Sequence, residues 1–301
     1  MSQEFNTIRY EPVKDGVARI VISRDEARNA QNREMTYELN TAFDLAAQDN
    51  EVNVIVLAAD GKHFSSGHDL RDRAKLSEFE TVGTWSGFDL PGSEGSMAVE
   101  EEIYLGMCWR WRNIPKPVIA EVQGKVIAGG LMLIWIADLI IASDDASFSD
   151  PVVAFGVNGV EYFAHPWEVG VRKAKEMLFT GEALSAEEAK QLGMVNHVVP
   201  RDELTAFTRE MATHIAQRPS FGLKLAKQSV NRCRIAKGYG QRFKRRCRCN
   251  SSAMQTISRF MVWQLIPKVQ RSFGLRLKEK ASGWARVLLG LDQNSARWVN
   301  P

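Results

Sequence analysis

The chain has 301 residues, of which 45% are hydrophobic, and its 39 Lys/Arg against 36 Asp/Glu leave a formal net charge of +3. That length and apolar content suffice for one large packed domain or two small ones. No apolar stretch reaches the roughly 18 uncharged residues of a membrane span, since the strongest candidate, 126–136, is too short and runs into Asp138. Residues 1–6 lack the basic and apolar regions of a signal peptide. Four cysteines, three of them at positions 233, 247 and 249, make no disulfide framework for a chain this size. Cys247-x-Cys249 also lacks the paired His or Cys partners of a zinc site. A cytoplasmic, reduced protein without a resident metal is the expectation. The charge is uneven: between Met211 and Lys278 there are 16 Lys/Arg and no Asp or Glu, which leaves the remainder of the chain at −13. Such a run can mark a nucleic-acid or membrane surface; neither partner is expected here, for a reason given below.

In chain order, 8–23 reads as two short strands around a Lys14-Asp15-Gly16 turn. Apolar residues at helical spacing (Met35, Leu39, Phe43, Leu45, Ala46) predict an amphipathic helix over 33–49. Residues 52–59 read as a buried strand, and 81–96, rich in Gly and Ser with Trp85, Phe88 and Pro91, as a loop region. Residues 100–111 read as a helix that ends before a proline pair. A strand at 118–122, a turn at Gly129, a helix over 130–137 and a strand over 139–142 follow. Strand–turn–helix units in succession imply right-handed crossovers and a layered α/β domain. Trp109 and Trp111 fall within a helix and read as residues that pack in the core or line an apolar tunnel, not as a stacking platform for nucleic acid.

Two segments carry the chemistry. Phe64-Ser65-Ser66-Gly67-His68-Asp69-Leu70 and Gln123-Gly124-Lys125-Val126-Ile127-Ala128-Gly129-Gly130-Leu131 each follow an apolar run and place glycine where a strand hands over to a turn or helix. Glycine there lets backbone approach a ligand closely and leaves N–H groups unpaired. Two such donors aimed at one point stabilise charge on a carbonyl oxygen. The alternative is that Ala128-Gly129-Gly130 only permits close helix–strand packing.

Together, in this order, the two segments resemble the crotonase (enoyl-CoA hydratase/isomerase) superfamily. Ile22 to Ala30 looks like its acyl-CoA loop, Ile114 to Ala120 like its approach to the second glycine turn, and Ala137 to Ser143 and Ala183 to Val199 like its later elements. The likeness runs from about Ile8 to about Asn231. It implies an α/β crotonase spiral of ββα units over 1–200, with a C-terminal helical region starting at 201–240. It further implies that the N–H groups of His68 and Gly129 form an oxyanion hole. Gly129 would stand at a helix N-terminus, where the macrodipole favours an enolate. Arg28, Ala30, Ser66, His68 and Leu70 would contact coenzyme A, which arrives as part of an acyl-CoA substrate and not as a resident cofactor. Lys62 and Arg71 would add charge near its 3′-phosphate. A homotrimer or hexamer is implied if the C-terminal region is competent.

The departures from that pattern set the chemistry. The family's hydratases use two glutamates, and the matching positions here are Met132 and Val152, neither of which can move a proton. Glu161 and Asp150 are the remaining carboxylates, with Tyr162 and His165 flanking the same loop. Glu161 is the candidate acid–base group, and its alternative is a place at a subunit contact. The His68 imidazole is a separate candidate, because the family uses that position for its backbone. Asp69 reads as structural. Two functions follow: an acyl-CoA enzyme acting through a thioester enolate, by isomerisation, hydration or C–C cleavage, or a non-catalytic acyl-CoA-binding homologue.

The basic tail has its own reading. The likeness holds to Asn231, and beyond about Gly240 Arg and Cys crowd together. Codons can be chosen for 252–274 so that the frame starting at the third base of Ser252 spells GHANNFQVYGLAIDPEGAKKLR, which resembles the C-terminal helix of related crotonases. Residues 241–301 are therefore expected to have left the family's reading frame. The alternative is a diverged basic helix at a subunit interface.

Overall fold

The computed structural model describes residues 4–236, all within one structural unit. The expectations for 241–301, including Cys247 and Cys249, lie outside the described residues. The chain opens with a hairpin, β1 (Ile8–Lys14) and β2 (Val17–Ile22), and then α1 (Arg33–Gln48) and β3 (Val54–Ala59). Asn32 caps α1 by accepting the Met35 N–H at 3.0 Å, which satisfies one of the donors that the first turn leaves open. After a long connection come α2 (Ser93–Glu100), a π-helical turn (Glu101–Gly106) and α3 (Met107–Arg112). Next are β4 (Val118–Val122), β5 (Lys125–Ile127), α4 (Gly129–Trp135), β6 (Leu139–Ser143) and β7 (Ser147–Ser149). The remainder is α5 (His165–Glu168), α6 (Val171–Thr180), β8 (Leu184–Ser185), α7 (Ala186–Gln191), β9 (His197–Val199), α8 (Leu204–Ala216) and α9 (Ser220–Ala236).

Six strands form one sheet in the order β1-β2-β3-β4-β6-β9, parallel except for the β1–β2 hairpin. A second sheet runs β5-β7-β8. Strand side chains alternate between faces, and β3 shows the result. Ile55 and Leu57 enter the large core shared with Met35, Leu39 and Phe43 of α1. Val54 and Val56 enter a smaller core under Leu204, Ala212 and Ala216 of α8. Both faces of β3 are covered, which is why it reads as an unbroken apolar run. α9 is tied down by Lys227, whose buried Nζ sits 2.8 Å from Asp138 and donates to the Lys116 carbonyl at 2.9 Å.

The layered α/β reading holds, with four local corrections. Strand β3 starts at Val54, two residues late. Residues 93–96 belong to α2, not to a loop. The helix expected over 100–111 contains a π-helical turn, so its side chains leave the plain 3.6-residue spacing. The strand β5 was not foreseen.

Asp72 links the loop after His68 to α1 by accepting the Arg33 N–H at 2.8 Å and the Ala74 N–H at 3.0 Å. Burial pushes its carboxyl up, but these N–H groups and the Arg33 guanidinium outweigh that and hold it below the ordinary range. A carboxyl lowered on folding stabilises the fold above its unfolded value, and that stabilisation is lost as pH falls through the folded value. Urea unfolding should therefore show stability falling as pH drops below about 4, with Asp72→Asn flattening part of the loss. Equal acid slopes for the two proteins would remove Asp72 from the explanation.

Candidate active site

The two glycine turns meet because each is stitched into the same backbone lattice. Ser65 pairs with Val126 of β5, through Ile127 N–H to Ser65 O at 3.0 Å and Ser65 N–H to Lys125 O at 3.3 Å. On its other side the same segment pairs with Gln31: the Gln31 N–H donates to Gly67 O at 2.8 Å, and the Asp69 N–H to Gln31 O at 2.7 Å. Gly67 has φ +94, and a Cβ placed there would lie 2.9 Å from Ile127 O and 3.3 Å from Gly129 N. Only glycine allows that approach. Neither the His68 nor the Gly129 N–H has a hydrogen-bond partner among the described residues.

Ala128 sets the turn that leads into Gly129. It has φ 46 and ψ −114, a conformation that favours glycine. It is held there by its own N–H to Ser149 O at 2.9 Å and by Leu131 N–H to its carbonyl at 2.8 Å. Strain of this kind costs about 1–3 kcal/mol and persists only where surroundings enforce it.

The His68 side chain is half-buried and sandwiched. On one side its ring covers the Gly129 Cα so closely that a Cβ there would come within 2.5 Å of Cε1. On the other lies Tyr104, with ring centroids 3.9 Å apart. The sandwich points Nε2 at Glu161 Oε2, 3.1 Å away, with both side chains less than one-fifth exposed. Burial and, after it, the charge of Glu161 push the Tyr104 phenol above its ordinary range and raise the Cys108 thiol in the same way. Tyr104 is therefore neutral and its ring apolar toward His68.

Sequence reasoning placed Glu161 and His68 separately and missed Tyr104 altogether. Tyr104 lies on the π-helical turn, where helical spacing gives no guide. The next-door Glu102 is buried and accepts the Val82 and Gly83 N–H groups at 2.7 and 2.8 Å, and the Tyr37 hydroxyl at 3.2 Å. It thereby fixes the 82–83 segment, and the Tyr37 phenol is raised by burial first and by Glu102 second.

Asp150 and His165 are both fully buried, with Asp150 Oδ2 2.8 Å from His165 Nε2. Met132 is buried and its Sδ accepts the Tyr162 N–H at 3.3 Å. Trp111 packs in the core against Phe43, and Trp109 meets Tyr162 edge-on. Arg28, Ala30 and Ser66 come together along the Gln31–His68 bridge, where the Ser66 N–H donates to Arg28 O at 3.0 Å. Leu70 lies beyond it, 80% exposed. Asp69 takes the structural part expected of it, accepting the Arg71 N–H at 3.0 Å and pairing with Arg24 at 3.1 Å. Burial, then the charges of Lys125, Lys62, Arg201 and Arg28, lower His63 below its ordinary range. Of these cations Arg201, unnoticed in the sequence, pairs with Asp145 at 2.5 Å and donates to the Gly61 and Lys62 carbonyls.

The layered α/β core with its two glycine turns in contact is that of the crotonase fold, which the solved structures below share. The family model for enoyl-CoA hydratase/isomerase matches residues 12–256, and the chain belongs to that family. It is 44% identical over 245 residues to a Mycobacterium tuberculosis protein named as an enoyl-CoA hydratase, EchA13, covering 79% of this chain and 77% of that one. The mouse mitochondrial enoyl-CoA hydratase domain-containing protein 3 is 33% identical over 204 residues, and the match spans 67% of this chain and 63% of that relative. Among solved structures, one titled as an enoyl-CoA hydratase from Mycobacterium thermoresistibile has a TM-score of 0.76 at 47% identity, covering 83% of this chain and 98% of that one. An enoyl-CoA hydratase/isomerase from Xanthobacter autotrophicus gives 0.75 at 30% identity, with coverages of 91% and 96%.

The backbone geometry makes opposite predictions at two neighbouring positions. Gly67→Ala should cost about 1–3 kcal/mol, because it forces a side chain into a positive-φ site against Ile127 O. Ala128→Gly should raise stability by about 1 kcal/mol, because relief of strain exceeds the added chain entropy. Urea denaturation of the two variants checks both signs, and a destabilised Ala128→Gly would mean that the turn is not strained.

Proposed function

We propose that this protein is an enzyme that transfers a proton at the α-carbon of an acyl-CoA thioester and stabilises the resulting enolate. The contact between His68 Nε2 and Glu161 Oε2, set beside two unpartnered N–H groups, carries the reading. The thioester oxygen would accept from the His68 and Gly129 N–H groups, which gain strength as it becomes an enolate oxygen. Arg28, Lys62 and Lys125, whose charges all act on His63, would supply positive charge for the phosphates of coenzyme A.

Because His68 and Glu161 touch, they act as one acid–base centre. One centre suffices for a 1,3-proton shift. The Glu161 carboxylate takes a proton from C2 of a 3-enoyl-CoA, the electron pair moves onto the thioester oxygen, and the same carboxyl returns a proton to C4, giving the 2-enoyl-CoA. Isomerisation of this kind is the reaction favoured here. With Met132 and Val152 at the family's two glutamate positions, the two-glutamate route to hydration is not available. Those same two residues favour the second reading, a homologue that binds acyl-CoA without turnover.

Incubation with 2- and 3-enoyl-CoA thioesters in deuterated water separates the readings. The proposal expects exchange at the α-carbon, lowered about 10²–10⁴-fold by Glu161→Gln with acyl-CoA affinity retained. Tight binding with no exchange in the wild type selects the binding protein, and undiminished exchange in the variant removes Glu161.

A further inference from the structure

Glu161 stands on a segment with little regular structure, between a 3₁₀ turn at Pro151–Phe155 and α5. A group on such a segment transfers protons efficiently only if its position is imposed from elsewhere. Met132 holds the next residue, with its Sδ accepting the Tyr162 N–H at 3.3 Å, and a buried carboxylate holds the segment on both sides of Glu161. Asp150 Oδ2 accepts the N–H of Val160, the residue immediately before Glu161, at 3.0 Å. The same oxygen is 2.8 Å from His165 Nε2, four residues after Glu161. A single carboxylate oxygen thus grips the Glu161 segment from both ends.

The grip connects to the second glycine turn through the chain itself. Ser149, adjacent to Asp150, accepts the Ala128 N–H at 2.9 Å, and Ala128 directly precedes Gly129. The route from the Gly129 donor to the Glu161 carboxylate is therefore Ala128, Ser149, Asp150, Val160, with a hydrogen bond or a covalent link at each step. His165 is immobilised in turn between Trp135 and Phe163, with ring centroids 4.7 and 4.6 Å away. Asp150 and His165 are both 0% exposed. A fully buried acid–imidazole pair is costly to assemble and is weak evidence of stabilisation for its own sake. Its geometry, by contrast, is rigid.

We propose that the buried Asp150–His165 pair is a positioning device that sets Glu161 against His68 and at a fixed remove from the Gly129 turn. Asp150 is then a positioning residue and not a second acid–base group. This inference rests on the reading of Glu161 as the proton-transfer group, and the test keeps the two apart.

Asp150→Ala and Asp150→Leu remove the acceptor, the second also filling the volume, so a chain unfolded by the alanine cavity does not leave the question open. Asp150→Asn keeps one oxygen for both donors. Two quantities are read in each: the α-carbon exchange kinetics with the enoyl-CoA thioesters, and the His68 imidazole ¹⁵N resonances, which report the Glu161 contact whatever the reaction. Removing the acceptor should lower kcat about 10²-fold, the size of effect expected from a displacement of about 1 Å, with KM nearly unchanged. The His68 resonances should move as they do in Glu161→Gln, and Asp150→Asn should restore both readouts. In a Glu161→Gln background, Asp150→Leu should cost nothing further, since residues acting through one group are non-additive. His68 resonances unmoved by both Asp150→Ala and Asp150→Leu, while Glu161→Gln shifts them, would overturn the positioning role. Full exchange activity in Glu161→Gln would overturn the reading of Glu161 instead, and the resonances would still decide where Asp150 holds it.

Discussion

Everything at this site depends on the two-sided backbone pairing of 65–69. The segment is hydrogen-bonded to β5 on one side and to Gln31 on the other, so it has no freedom to retreat from the Gly129 turn. Because His68 pairs with Gln31 in a parallel bridge, the flanking Gly67 carbonyl and Asp69 N–H make its hydrogen bonds and the N–H of His68 is left out of that ladder. Gly67 is the cost of that closeness: its Cα lies where any side chain would strike Ile127 O. In the proposed chemistry position 68 contributes its backbone N–H, which leaves its side chain free for other contacts. In this chain it carries an imidazole, and the imidazole finds a carboxylate.

The imidazole is also the reason that Gly129 must be glycine. Gly129 does not need an unusual φ; it needs the absence of a Cβ, because the His68 ring occupies that space. Tyr104 closes the other face. Packed between them, the His68 ring is oriented with Nε2 toward Glu161. Tyr104 in turn sits on the same π-helical turn as Glu102, which clamps Val82 and Gly83. The loop over 82–83 and the stacked tyrosine are therefore mechanically part of one element.

Much of this was legible in the sequence, and the limits have physical causes. Strands β1 to β4 and β6, α1 and both glycine turns were readable because hydrophobic period and glycine demand are local properties. Strand β5 escaped because three residues are too few to show a period. Tyr104 escaped because a π-helical turn breaks the spacing that sequence reasoning uses. The meeting of His68 with Glu161 spans 93 residues and depends on the Asp150 grip, so no local pattern encodes it. Asp150 itself drew notice for being near a missing glutamate. Its burial and its bond to Val160 were invisible until the chain was folded.

The central claim is that the His68 and Gly129 N–H groups converge on one acyl oxygen. A crystal structure with a bound acyl-CoA thioester tests it most directly. The account expects the thioester oxygen about 2.7–3.1 Å from both nitrogens, with the α-carbon facing Glu161. A thioester oxygen bound elsewhere, or in contact with only one of the two nitrogens, would contradict it.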